Sequence, residues 1–205
     1  MKKILVVVLG IFILIGLTGC SIKNLFIKEN KAEEFMKGKV NIQIDVKDYG
    51  IIKLELDADT APITVTNFVN LINDKFYDGL TFHRIMKDFM IQGGDPDHNG
   101  QGGSSQKIKG EFKSNGVENN ISHVRGVISM ARATDPNSAS SQFFIVNKDS
   151  TFLDGNYAAF GHVTEGMEVV DKITENVAPL AVDDNGTIEF DNQPIINSIR
   201  VIDHE

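Results

Sequence analysis

Val40, Ile42, Ile44 and Val46 alternate with polar residues, and after a turn at Asp48 to Gly50 the alternation resumes with Ile52, Leu54 and Leu56. A period of two sends successive side chains to opposite faces of a strand, so the two runs predict a β-hairpin with one buried side. The period then changes. Val65, Phe68, Val69 and Ile72 follow helical spacing, with Thr60 as the expected N-cap and Pro62 in the first turn, which predicts a helix ending near Lys75. Further short apolar runs cover Gly126 to Ala131, Gln142 to Val146 and Tyr157 to Val163. A second short helix is expected over Met167 to Thr174, burying Val169, Val170 and Ile173, and a last strand over Pro194 to Ile202, with Ile195, Ile199 and Val201 on one face. Many short strands, two helices and no repeated βαβ unit predict a mainly β fold, a closed antiparallel barrel with helices at its ends.

One stretch breaks the pattern. In FHRIMKDFMIQGGD, residues 82–95, Arg84 stands among Phe82, Ile85, Met86, Phe89, Met90 and Ile91. A cation there is costly unless something satisfies it. Simple alternation would put Phe82, Arg84 and Met86 on one face and His83 and Ile85 on the other. Gln92 adds a neutral donor and acceptor, and Gly93 with Gly94 lets the backbone turn tightly. The competing reading is an edge strand whose arginine points to water. After it, Asp95 to Gly116 is a Gly, Ser and Asn rich loop of unusual length, functional or mobile.

Composition narrows the field. With 205 residues, 41% hydrophobic and 23% charged, the chain suits one globular domain plus a leader. The net charge of -8 disfavours a nucleic-acid partner, which needs a basic face. Lys2 and Lys3, an apolar run from Ile4 to Leu17, and Thr18 and Gly19 before the one cysteine, Cys20, predict a signal peptide over 1–19. The run is short of the roughly 20 residues of a membrane-spanning helix, an uncleaved anchor being the alternative. L-T-G-C at 17–20 resembles the bacterial lipobox, which implies lipid attachment at Cys20 and a place at the cell membrane on its extracytoplasmic side. Residues 20–39, rich in Lys, Glu and Asn, read as a tether, and the domain as 40–205.

Other chemistry finds little support. Asp95, Asp97, Asn99 and Gly100 open like a calcium loop, but the twelfth position is Gln106 and Pro96 intrudes. His83, His98, His123, His162 and His204 lack ligand spacing, and Ser138 to Ser141 has no nucleophile elbow. No metal and no cofactor is expected.

In Ser141, Gln142, Phe143, Phe144 and Ile145 the two aromatics must face opposite ways, so if Phe143 enters the core Phe144 points out. FHRIMKDFMIQGGD, SMARATDPNSASSQFFI and FLDGNYAAFGHV, in this order and spacing, resemble the three signature blocks of the cyclophilins, peptidyl-prolyl cis/trans isomerases, over about Val40 to Asp203. The resemblance implies an eight-stranded barrel with two capping helices and a shallow outer groove. In it Phe89, Met90, Phe144 and Leu153 would take the substrate proline, Arg84 and Gln92 would be the polar catalytic members, and Ala131 and Arg132 would offer backbone contacts. Phe152 and Tyr157 would also be substrate-binding; with Arg132 they depart from the tryptophan, histidine and asparagine of many members, which argues against tight cyclosporin binding because phenylalanine lacks the indole donor. Rotation about an X-Pro bond breaks no covalent bond, so the absence of a nucleophile or acid-base pair in the sequence is in keeping. The implied function is isomerisation of X-Pro bonds in exported polypeptides by a monomer. The alternative is a proline-segment binding module or holdase with little turnover, and Arg84 is the residue that separates the two.

Overall fold

In the predicted hairpin, β1 (Lys39–Val46) and β2 (Gly50–Asp57) pair antiparallel with Ile42 opposite Leu54 and Ile44 opposite Ile52, all four fully buried. Their connection turns at Asp48, whose φ of 65° lies in the left-handed region, and Gly50 at 126°. This computed structural model describes residues 34–203, so the expected leader, Cys20 and most of the tether lie outside the described residues.

The remaining elements are α1 (Pro62–Asn73), β3 (Phe82–Met86), β4 (Met90–Gly93), β5 (Val127–Met130), β6 (Phe143–Val146), β7 (Ala159–Glu165), α2 (Met167–Val177) and β8 (Ile196–Ile202). The strands form one curled antiparallel sheet in the order β3-β4-β6-β5-β7-β2-β1-β8. The expectation of a closed barrel needs correction at one seam. No ladder joins the end strands β3 and β8. They meet through an isolated bridge between Thr81 and Ile195 and through Phe82 N–H to Pro194 C=O at 3.0 Å and Ile196 N–H to Leu80 C=O at 2.7 Å.

Two apolar clusters lie on opposite sides of the sheet. The inner one holds the buried faces of both helices, and Phe68 of α1 meets Tyr77, Phe143 and Phe160 with ring centroids 4.9, 5.3 and 5.2 Å apart. The outer one is small: Met90, Val127, Phe144, Val146, Leu153 and Ala159. Phe143 and Phe144 thus do face opposite ways.

Two β-bulges overturn expectations drawn from strict alternation. On β3, Phe82 pairs with Gly93 but Arg84 with Gln92, so His83 is the extra residue. Phe82 and Ile85 therefore both enter the core, while Arg84 and Met86 face outward. Where β1 meets β8 the register shifts between Asp45 and Val46, which brings Ile196 inward on the same side as Ile199 and leaves Ile195 exposed, against the expected face; Val201 keeps register with Ile42 on the side of Ile199 and is exposed near the end of the strand.

The long loop is braced rather than loose. Ile108 and Phe112 join the inner core, and the buried Glu111 carboxylate accepts the N–H groups of Ile63 and Thr64, at 3.1 and 2.8 Å, and the Thr64 hydroxyl. It does the capping expected of Thr60, whose hydroxyl instead donates to Asp57 at 2.9 Å. At the loop's start Asp95 is fully buried and its oxygens accept the N–H groups of Asp97, Asn99 and Gly100. Burial works to raise the pKa of Asp95, but these three donors and His83 outweigh it and hold the carboxyl below its ordinary value.

Candidate functional site

On the outer side of the sheet, the pairing of β4 with β6 sets Met90 opposite Val146 and Gln92 opposite Phe144. Cross-strand partners share a face, so an apolar floor and a polar amide arrive side by side. Leu153, at the end of a 3-10 turn over Thr151–Leu153, and Tyr157 close one side, and Arg84, Phe89, Ala131 and Arg132 complete the lining. The hollow measures about 130 Å³. Met90, Phe144 and Leu153 are almost wholly buried at 1, 5 and 7% exposure, so its base is packed and preformed.

Arg84 is half-buried at the rim. Its Nε donates to the Asn185 C=O at 2.7 Å, Nη1 to the Gln92 Oε1 at 3.1 Å, and Nη2 to the Met86 sulfur at 3.0 Å. The guanidinium also lies 5.8 Å from the centre of the Phe89 ring. Among the described residues no carboxylate ion-pairs with it. Burial lowers its pKa, against the pull of Tyr157 and Asp183, yet an arginine remains a cation under all ordinary conditions. The arrangement presents a fixed N–H donor group beside an apolar recess.

The polar side continues past Gln92, whose amide donates to Gln142 Oε1 at 2.9 Å, while Gln142 in turn donates to the Gly102 C=O at 2.8 Å. Sequence reasoning passed over Gln142 as part of a strand. It also passed over His123, which is fully buried behind Phe144, its ring stacked on that phenyl at 6.1 Å. His123 Nδ1 lies 2.9 Å from Asp154 Oδ1 and Nε2 lies 3.0 Å from the Ser129 hydroxyl. Burial lowers the His123 pKa, opposed by Asp154. A buried, doubly bonded ring fixes the wall from behind. The sequence signal available for it was only a histidine two residues upstream of Arg125 in a polar loop.

One expected site residue stands differently from its assignment. Phe152 does not line the hollow: it is 71% exposed and tilts over Phe89 at 5.6 Å, because the 3-10 turn that brings Leu153 inward sends its neighbour outward. Ala131 has its N–H taken by the Gln142 C=O at 3.0 Å, which leaves its carbonyl as the group it can offer. Arg132 is held by Asn156 C=O, at 3.1 Å from Nε and 2.9 Å from Nη2, and its guanidinium lies 4.7 Å from the Tyr157 ring and 5.1 Å from that of Phe112. Arg84, Phe89, Met90, Gln92, Ala131, Arg132, Phe144, Leu153 and Tyr157 come together as expected.

A curled eight-stranded antiparallel sheet with two helices on its inner cluster, and an arginine beside an outer apolar hollow, defines the cyclophilin class of architecture. Comparison with known proteins agrees: the model for cyclophilin type peptidyl-prolyl cis-trans isomerases matches residues 40–201, and the chain belongs to that family. It is 46% identical over 142 residues to peptidyl-prolyl cis-trans isomerase A of Dickeya dadantii, covering 63% of this chain and 71% of that one. Against a peptidyl-prolyl cis-trans isomerase of Acinetobacter baylyi it is 40% identical over 139 residues, 65% of this chain and 72% of the other. A cyclophilin type isomerase of Cryptosporidium parvum, solved in the presence of the dipeptide Ala-Pro, superposes with a TM-score of 0.69 at 31% identity, covering 80% of this chain and 99% of that one. The activity of the chain is accordingly peptidyl-prolyl cis/trans isomerisation.

Proposed function

We propose that the hollow of Phe89, Met90, Phe144 and Leu153 seats the proline ring of an extended polypeptide while Arg84 and Gln92 act on the imide. The bond to be turned is held planar by resonance, with a barrier of about 18 to 20 kcal/mol, and unaided X-Pro exchange takes tens to hundreds of seconds. As the bond twists, conjugation is lost and the nitrogen regains its lone pair. A donor beside that nitrogen stabilises the twisted state more than the planar one, and only such differential binding speeds the step. The observation that carries this reading is the Arg84 guanidinium at the rim, tied by Gln92 Oε1, Asn185 C=O and a thioether, with no carboxylate ion-paired to it among the described residues. An apolar recess that only bound proline segments would have no use for an oriented cation. Gln92, held between Arg84 and Gln142, keeps that cation aimed.

The same reading places the enzyme outside the cytoplasmic membrane, fixed by lipid on Cys20 and acting on exported chains. Its support is the basic, apolar and small-residue order of residues 2 to 20. Arg84→Ala is the decisive variant. Loss of one preorganised donor typically lowers a rate by about 10²- to 10³-fold, and a fall of that size in kcat/KM on an Ala-Pro peptide is expected, with the circular dichroism of the fold intact. An unchanged rate would remove Arg84 from the mechanism.

A further inference from the structure

At the end of β3 lies a second cleft of about 370 Å³, lined by Ile85, Met86 and Lys87 and by segments at 174–186. Met86 lines this cleft and also packs against the outer apolar cluster that floors the hollow. It is half-buried, opens to the second cleft, and sets its sulfur 3.0 Å from Arg84 Nη2. Gly186 packs close beside the Met86 side chain: a Cβ added there would meet the Met86 Cγ at 2.5 Å. The other methionine near the guanidinium, Met90, is 1% exposed with its sulfur 4.0 Å from Nη1, out of reach of solvent.

We infer that Met86 is a reversible oxidation site through which peroxide-class oxidants turn the isomerase down. In the step, the thioether sulfur attacks one peroxide oxygen, an S–O bond forms as the O–O bond breaks, the sulfur is oxidised to a sulfoxide, and the peroxide leaves reduced to water. A thioether is a weak acceptor, whereas a sulfoxide oxygen is a strong one, and a hydrogen bond to a charged donor is among the stronger kinds. Arg84 Nη2, already turned to Met86, would be held there by a charge-assisted bond and drawn from the imide it serves. Met86 is thus a positioning residue acting through Arg84, and the inference rests on the role given to Arg84 above. Tightening one such bond corresponds to about a tenfold to hundredfold loss of rate. The loss falls on kcat, since the proline hollow itself is unaltered.

The test treats the full-length protein with millimolar hydrogen peroxide and follows sulfoxide at each methionine by peptide mass spectrometry alongside kcat and KM on an Ala-Pro peptide. Wild type is expected to gain sulfoxide at Met86 with Met90 spared, to lose at least about tenfold in kcat at unchanged KM, and to recover with methionine sulfoxide reductase. Met86→Leu is compared with itself before and after peroxide, and its ratio should stay near one. Arg84→Ala, already slow, should lose nothing further. Sulfoxide at Met86 with undiminished kcat overturns the proposal, as does Met86 resisting oxidation, or an equal loss in Met86→Leu. A fast Arg84→Ala protein would instead mark failure of the role given to Arg84, a result distinguishable because it needs no oxidant.

Discussion

His83 occupies the extra position of the β3 bulge, 4% exposed, and neither ring nitrogen has a hydrogen-bond partner among the described residues. Burial drives its pKa from 6.5 down to about 4, with Asp95 opposing and Arg84 and His98 adding to the fall. In the folded protein the ring is therefore neutral at pH 5 to 7, while in an unfolded chain it protonates near 6.5. The folded value is the lower one, so between the two the unfolded state binds more protons and stability declines as the pH drops. Across the whole window the decline is on the order of 3 kcal/mol. Urea unfolding at pH 7 and pH 4.5 should show most of it, and His83→Gln should reduce the dependence to what His123 and the aspartates with lowered pKa contribute; equal slopes in the two proteins would exonerate the imidazole. At this scale Arg84 is legible in the sequence because a cation in an apolar run is conspicuous. Gln142 and His123 are not, since a polar residue in a strand or loop gives no sign of which neighbour the register will bring to it.

The helix α1 depends for its start on a loop residue far along the chain, Glu111, and not on the threonine before it. Replacing Glu111 with alanine would strand the buried N–H and hydroxyl of Thr64, together with the half-buried Ile63 N–H. A loss of about 2 to 3 kcal/mol is expected from such unsatisfied groups, visible in denaturant unfolding, with faster amide exchange at Ile63 and Thr64. Most strands and helices were legible to within a few residues from hydrophobic period, but the stretch at 82–95, read as one extended run, is the antiparallel hairpin of β3 and β4. α2 runs on to Val177, past the expected end at Thr174, and β7 starts at Ala159 instead of Tyr157. The cap and the two bulges escaped because none has a local signature: a carboxylate reaching across 47 residues looks in sequence like one more loop acid. The face assignments of Phe82 and Ile195 failed for that reason, each being separated from the rest of its strand by an inserted residue, whereas Val201 shares the face of Ile199 and is exposed only near the strand's end.

At the scale of the molecule, the three ordered blocks made the family and the sheet legible, while the seam at Thr81 and Ile195 was not, because closure depends on the accumulated twist of eight strands. The proposed lipid attachment is open to direct measurement. Cys20→Ser should abolish incorporation of labelled palmitate and move the protein from the membrane to the soluble fraction, and a membrane fraction unchanged by the substitution would argue for the uncleaved anchor. The sheet order bears on what such an attachment would do to the fold. β1, the strand that follows the N-terminal segment, lies between β2 and β8 and is zipped to both. Tension drawn through the chain ahead of Lys39 would have to shear two ladders together, whereas an outermost strand could be peeled off one bond at a time, so a leash of the proposed kind would enter at a place that resists being unravelled by its own load.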